Sequence, residues 1–115
     1  MGESISSDLI RGHIDTMILR VLNEGDNYGY EIIKSICVNS QGAYELKEPS
    51  LYTSLKRLET QRFIESYWGN ESQGGRRKYY KMTDLGREIY QKAIVQWKIA
   101  RDLIDKLIEG GEYNE

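Results

Sequence analysis

Up to Gln61 the apolar residues of this chain recur at spacings of three and four, and beyond it they gather into two short aromatic runs. That change of period constrains the fold more than any other feature. From Asp8 onward, Ile10, Ile14, Met17, Ile18, Val21 and Leu22 form one face of a first helix, which stops at Asn23-Glu24-Gly25-Asp26-Asn27. Tyr28 to about Val38 resumes the helical spacing with Ile32, Ile33 and Ile36 on one side. A second break at Asn39-Ser40-Gln41-Gly42 leads to Pro49, which suits the first turn of a third helix buried along Leu51, Leu55 and Leu58. Phe63 to Trp68 and Lys78 to Met82 read as strands, joined by a glycine-rich loop too long for a two-residue turn. Thr83-Asp84 then supplies an N-cap and a first-turn negative charge for a helix running to about Glu109 and ended by Gly110-Gly111. The order predicts a mostly α, α+β chain: a winged helix-turn-helix of three helices and a two-stranded wing over residues 1–82, then a long C-terminal helix over residues 83–115.

Composition excludes several functions. A length of 115 residues suits one domain, and 39% hydrophobic with 30% charged residues is an ordinary globular balance. No apolar run is long enough to cross a bilayer, and residues 1–8 have no basic stretch followed by an apolar one, so a cytoplasmic protein is expected. Cys37 and His13 are the only residues of their types, which leaves no internal disulfide and no zinc set. Neither has a partner nameable from spacing, and the carboxylates are scattered, so no catalytic residue and no enzyme is expected. The glycine-rich loop lacks a nucleotide-binding pattern and precedes a strand rather than a helix, so no cofactor is expected.

The formal net charge of −2 argues against a nucleic-acid partner only until its distribution is read. Residues 47–87 carry nine basic and five acidic side chains, while both flanks are net negative. With Leu51 at the centre of the third helix's buried face, Pro49, Ser50, Thr53, Lys56 and Arg57 turn outward and Tyr52 lies on the flank. Such a small, polar, basic face fits a major groove; it also fits an ordinary solvated surface, or a winged-helix module that contacts protein rather than DNA. The sequence Gly74-Gly75-Arg76-Arg77-Lys78 places three consecutive cations at a hairpin tip, able to follow a phosphate backbone or enter a minor groove.

On the final helix Ala93, Trp97, Ala100, Ile104 and Leu107 alternate steps of four and three, the spacing of a helix–helix seam. A homodimer is the economical partner, and a palindromic operator in double-stranded DNA would match it; the alternative is a seam folded back onto the chain's own first helix. Trp97 is a bulky ring between two alanines. In a two-fold dimer it can meet its symmetry mate and wall a slot for a planar aromatic effector, or it can serve simply as dimer core.

The sequences Arg11-Gly12-His13-Ile14-Asp15-Thr16, Tyr28-Gly29-Tyr30-Glu31-Ile32, Pro49-Ser50-Leu51-Tyr52 with Leu55-x-x-Leu58-Glu59, and Gly75-Arg76-Arg77-Lys78-Tyr79-Tyr80 with Thr83-x-x-Gly86 closely resemble the PadR family of transcriptional regulators. The likeness runs from about Leu9 to Trp97, and the single terminal helix resembles the family's smaller subgroup. It implies a winged-helix repressor that dimerises through its C-terminal helix, often with the first helix contributing, and is relieved by a small molecule. Some short members bind planar hydrophobic compounds between paired tryptophans. Many carry Gly or Glu-Gly where this chain has Glu48-Pro49, and often Pro in place of Thr53; these departures bear on which operator is read, not on how.

Overall fold

The computed structural model describes residues 5–70 and 75–110. Gly74 and Gly111, placed by the sequence at the hairpin tip and the helix end, lie outside the described residues. A short helix α1 (Ser7–Ile10) passes through a 3-10 turn (Arg11–His13) into α2 (Ile14–Asn23). There follow β1 (Asn27–Tyr28), α3 (Gly29–Asn39), α4 (Glu48–Thr60), β2 (Ile64–Trp68), β3 (Lys78–Met82) and α5 (Asp84–Glu109).

Two expectations are corrected. The first helix is divided, because Gly12, a poor helix former, falls within the run and the backbone tightens there into the 3-10 turn. Its start is capped by Ser6, whose hydroxyl accepts the Asp8 N–H at 3.2 Å. The sheet has three strands rather than two, in the order β1-β3-β2, all antiparallel. Tyr28 belongs to β1 and pairs with Tyr79, so the second helix starts one residue later, at Gly29.

Packing follows the predicted stripes. Ile14, Ile18 and Leu22 of α2, Ile32 and Ile36 of α3, and Leu51, Leu55 and Leu58 of α4 share one core, closed on the sheet side by Ile64, Tyr80 and Met82. Ile64 and Met82 are paired across β2 and β3, which puts both on the core face. Ile89 and Tyr90 in the first turns of α5 pack against the same core. From Arg101 to Gly110 every residue of the chain is exposed.

One junction joins α4, the hairpin and α5. After α4 the Arg62 N–H bonds to the Glu59 carbonyl and the Phe63 N–H to the Leu58 carbonyl, both at 3.0 Å, with Arg62 in the left-handed region at φ 67°. The Thr83 hydroxyl donates to the carbonyls of Arg62 (2.8 Å) and Phe63 (3.1 Å) and accepts the Gly86 N–H at 3.0 Å. Gly86 lies so close to the Phe63 carbonyl that a Cβ there would collide with it. The Thr83-x-x-Gly86 spacing is thereby explained: the threonine caps α5 while the glycine lets it approach the turn. Gly86→Ala should lower stability by about 1–3 kcal/mol, since the obstruction is backbone and cannot rotate away. Arg62→Gly should raise stability by about 0.5–1 kcal/mol by removing a side chain from a left-handed position. Urea unfolding midpoints at one protein concentration check both.

Candidate nucleic-acid interface

The outer face of α4 is built by its inner one. With Leu51, Ser54, Leu55 and Leu58 buried, Pro49, Ser50, Tyr52, Thr53, Lys56 and Arg57 are exposed, as the helical wheel predicted. Pro49 sits in the first turn, where its missing N–H costs no helical hydrogen bond. The Tyr52 ring leans on the start of α3, where a Cβ on Gly29 would collide with the Tyr52 hydroxyl. Glycine in the Tyr28-Gly29-Tyr30 motif therefore leaves the room that the Tyr52 ring of α4 occupies.

Arg57 is outward, as expected, but it is engaged. Its Nε and Nη2 donate to Oδ2 and Oδ1 of Asp15 on α2 at 2.9 and 2.8 Å, and Nη2 also donates to Ser54 Oγ at 3.1 Å. The hydrogen bonds and charge of Asp15 raise the pKa of the guanidinium further above its ordinary value. Ser54, only 2% exposed, has its hydroxyl occupied by this contact. An ion pair this exposed adds at most about 1 kcal/mol to folding. A concavity of about 330 Å³ opens beside it, lined by Arg11, Ile14, Pro49, Ser50, Thr53, Ser54 and Arg57. Sequence reasoning missed Asp15, because its link to Arg57 spans 42 residues and no periodicity expresses it. It also missed Ser54, whose i,i+3 spacing to Arg57 on the same helix was the available signal.

The hairpin carries its cations on aromatic supports. Gly75, Arg76, Arg77 and Lys78 are exposed. Arg76 lies over the Trp68 ring at 5.6 Å, Arg77 over Tyr28 at 4.8 Å, and the Lys78 ammonium over Tyr80 at 5.8 Å. Beneath them Tyr67 stacks on Tyr79, with centroids 5.6 Å apart and planes at 14°, and Tyr28 meets Tyr79 edge-on at 5.4 Å. The Tyr67 hydroxyl donates to Asp26 Oδ2 at 2.6 Å, and this bond pushes its pKa up to about 12. Ser66 donates to Glu59 Oε2 at 2.6 Å and ties β2 to the last turn of α4.

A second, apolar feature lies between the N-terminal helices and α5. This groove encloses about 1190 Å³ and is lined by Leu9, Ile10, Met17, Tyr90, Ala93, Trp97, Ala100 and Ile104 among others. His13 meets Trp97 edge-on across it, with centroids 4.7 Å apart and planes at 72°. Four of the five predicted seam residues therefore face the chain's own first helices. Leu107 does not line the groove and is 74% exposed. Among the described residues no three His, Cys, Asp or Glu side chains gather where a metal ion could be held.

The profile of the transcriptional regulator PadR-like family matches residues 18–92. The chain belongs to the PadR-like family of transcriptional regulators. It is similar to a solved transcriptional regulator from Clostridium thermocellum, 44% identical with a TM-score of 0.82 over 89% of this chain and 96% of that one. A PadR family transcriptional regulator from Eggerthella lenta is 32% identical with a TM-score of 0.80, covering 90% and 88%. The uncharacterized protein X of Lysinibacillus sphaericus is 42% identical over 108 residues, 94% of this chain and 99% of its own length. As a PadR-like protein the chain is a DNA-binding transcriptional regulator and not an enzyme. The matched residues take in α4, the hairpin and the Thr83 junction; Asp15 and Trp97 lie just outside them at either end. No helix among the described residues is long and apolar enough to cross a membrane.

Proposed function

We propose that this PadR-like regulator is a homodimeric repressor acting in the cytoplasm, and that residues 1–82 read DNA while residues 83–115 pair two copies. Two α4 helices enter successive major grooves of a palindromic operator, with half-sites about 34 Å apart, and the wings follow the flanking backbone. The observation that carries this reading is the division of α4: three leucines anchor it, and Ser50, Thr53 and Lys56 on the other side are free of the core. Hydroxyls and a cation on that face suit base edges and phosphates, and Arg76, Arg77 and Lys78 supply the sequence-independent grip. Bound across a promoter, the dimer blocks polymerase.

Pairing is supported by what α5 leaves in water. Leu103, Ile104, Leu107 and Ile108 are all exposed in the isolated chain, on a helix of 26 residues, and no residue from Arg101 to Gly110 is buried. A second copy covering this surface and the adjoining groove removes it from solvent. Within that groove Trp97 offers an exposed ring flanked by Ala93 and Ala100, which favours a planar aromatic effector held by stacking. Binding there shifts the two α5 helices and with them the spacing of the α4 pair.

A winged helix that binds protein rather than DNA is the competing use of the same face. Fluorescence anisotropy against the protein's own upstream DNA, titrated with salt, separates them. Thr53→Ala should weaken specific binding more than non-specific binding, whereas Arg77→Ala should weaken both and flatten the log–log salt slope by about one unit. Binding without salt dependence would favour the protein-contact reading. For assembly, Ile104→Glu should convert a sedimenting dimer to monomer and reduce DNA affinity with it; a wild type that is monomeric at micromolar concentration contradicts the seam. For the effector, a planar aromatic ligand should quench Trp97 emission in a Trp68→Phe background and release DNA over the same concentration range. Trp97→Ala should abolish that response and leave a dimer, and quenching that survives it would put the ligand elsewhere.

A further inference from the structure

Arg57 stands on the face of α4 assigned above to DNA, yet its hydrogen-bonding capacity is largely spent inside the protein. A guanidinium has five N–H donors in a fixed fork. Asp15 takes the Nε edge and one Nη2 donor, and Ser54 takes the other Nη2 donor. Only Nη1 remains. Two-pronged recognition of guanine O6 and N7 needs two donors from one edge of the fork, so the paired Arg57 cannot make it. The carboxylate also travels with the cation: side-chain exposure is 49% for Arg57 and 30% for Asp15, so a phosphate approaching one meets the field of the other. Lys56, its neighbour on the same exposed face, has no such carboxylate bonded to it in the contacts described.

We propose that Asp15 is a specificity-determining residue that acts through Arg57: it withholds the Arg57 charge from the phosphate backbone and so holds down binding to non-specific DNA. The inference rests on the reading of α4 as the DNA-facing helix. Non-specific affinity is almost wholly counterion release, about 0.9 unit of log–log slope per neutralised phosphate. A cation locked to its own carboxylate releases no counterion and contributes nothing to that slope. In the specific complex the same lock is useful, because Nη1 is presented in one place rather than on a swinging side chain. Asp15 thus lowers background binding while it preserves the operator contact.

Anisotropy on operator and random duplexes, between 50 and 200 mM salt, tests this with full-length protein. Asp15→Asn should steepen the random-DNA slope by about 0.9, an affinity gain over wild type that shrinks about threefold across that range. Operator affinity should rise less or fall, so that the specificity ratio drops. Asp15→Asn with Arg57→Gln should return the slope to the wild-type value, because the gained charge is that of Arg57. Arg57→Gln alone leaves the Asp15 carboxylate unpaired beside the DNA-facing surface, so it should bind random DNA more weakly than the double variant does and lose operator affinity as well. The double variant, with two neutral amides, keeps the test open if Asp15→Asn alone fails to fold. A double-variant slope that stays steep, or that falls below the wild-type value, overturns the proposal, as does Asp15→Asn weakening both DNAs alike. Lys56→Ala is the separate control on the underlying reading: it should flatten the random-DNA slope by about 0.9. If it does and the Asp15 variants behave as wild type, only the inference fails; if Lys56→Ala has no effect, the placement of α4 fails.

Discussion

The orientation of α4, and of the hairpin and terminal helix tied to its end, depends on the burial of Leu51, Leu55 and Leu58. These side chains are at most 1% exposed, and each transfers roughly 1.5–3 kcal/mol of favourable apolar free energy to the position of α4. The helix cannot roll about its axis without drawing all three toward water, so its outer face is held in one orientation. The turn after Thr60 carries the constraint onward. Its left-handed Arg62 and the carbonyls of Arg62 and Phe63 receive Thr83, and through Thr83 the start of α5. The end of α4, the hairpin and the terminal helix therefore meet at one set of hydrogen bonds around Thr83, not at three separate joints.

Electrostatics is arranged on the same frame at short range rather than through the total charge. A net charge of −2 would keep a uniformly charged chain away from DNA. Here the arginines of the hairpin stand over neutral rings, while Arg57 on α4 is bonded to a carboxylate. Cations of one chemical type are thus given different environments: some keep their full field and one has it largely cancelled.

Much of this was legible in the sequence, and what was not has a physical reason. The buried and exposed sides of α4 follow from its 3.6-residue period, which is a property of the chain alone. The hairpin strands and the Thr83 cap were legible for similar reasons, being local patterns with local causes. β1 was not: two residues cannot display alternation, and Asn27 and Tyr28 are extended because β3 passes beside them. The contacts Asp15 to Arg57 and Asp26 to Tyr67 join residues 42 and 41 positions apart. They arise only when the fold closes, so the acid partners looked like ordinary surface charge. The seam on α5 was visible as spacing, but which surface it faces depends on where α1 and α2 lie, and most of it turns toward them.

The aromatic floor under the wing bears on how this protein's grip can change over time. The steepness of salt dependence reflects how many charges a protein lays along DNA, whereas the affinity left at high electrolyte reflects how well those charges and their neighbours are prepared beforehand. Trp68, Tyr28 and Tyr80 hold Arg76, Arg77 and Lys78 above the sheet and carry no charge themselves. On a wing used as proposed, substitutions among these rings would act on the second quantity and leave the first alone. A lineage carrying this fold could then strengthen or relax its hold on a promoter without becoming more sensitive to the ionic state of its cell.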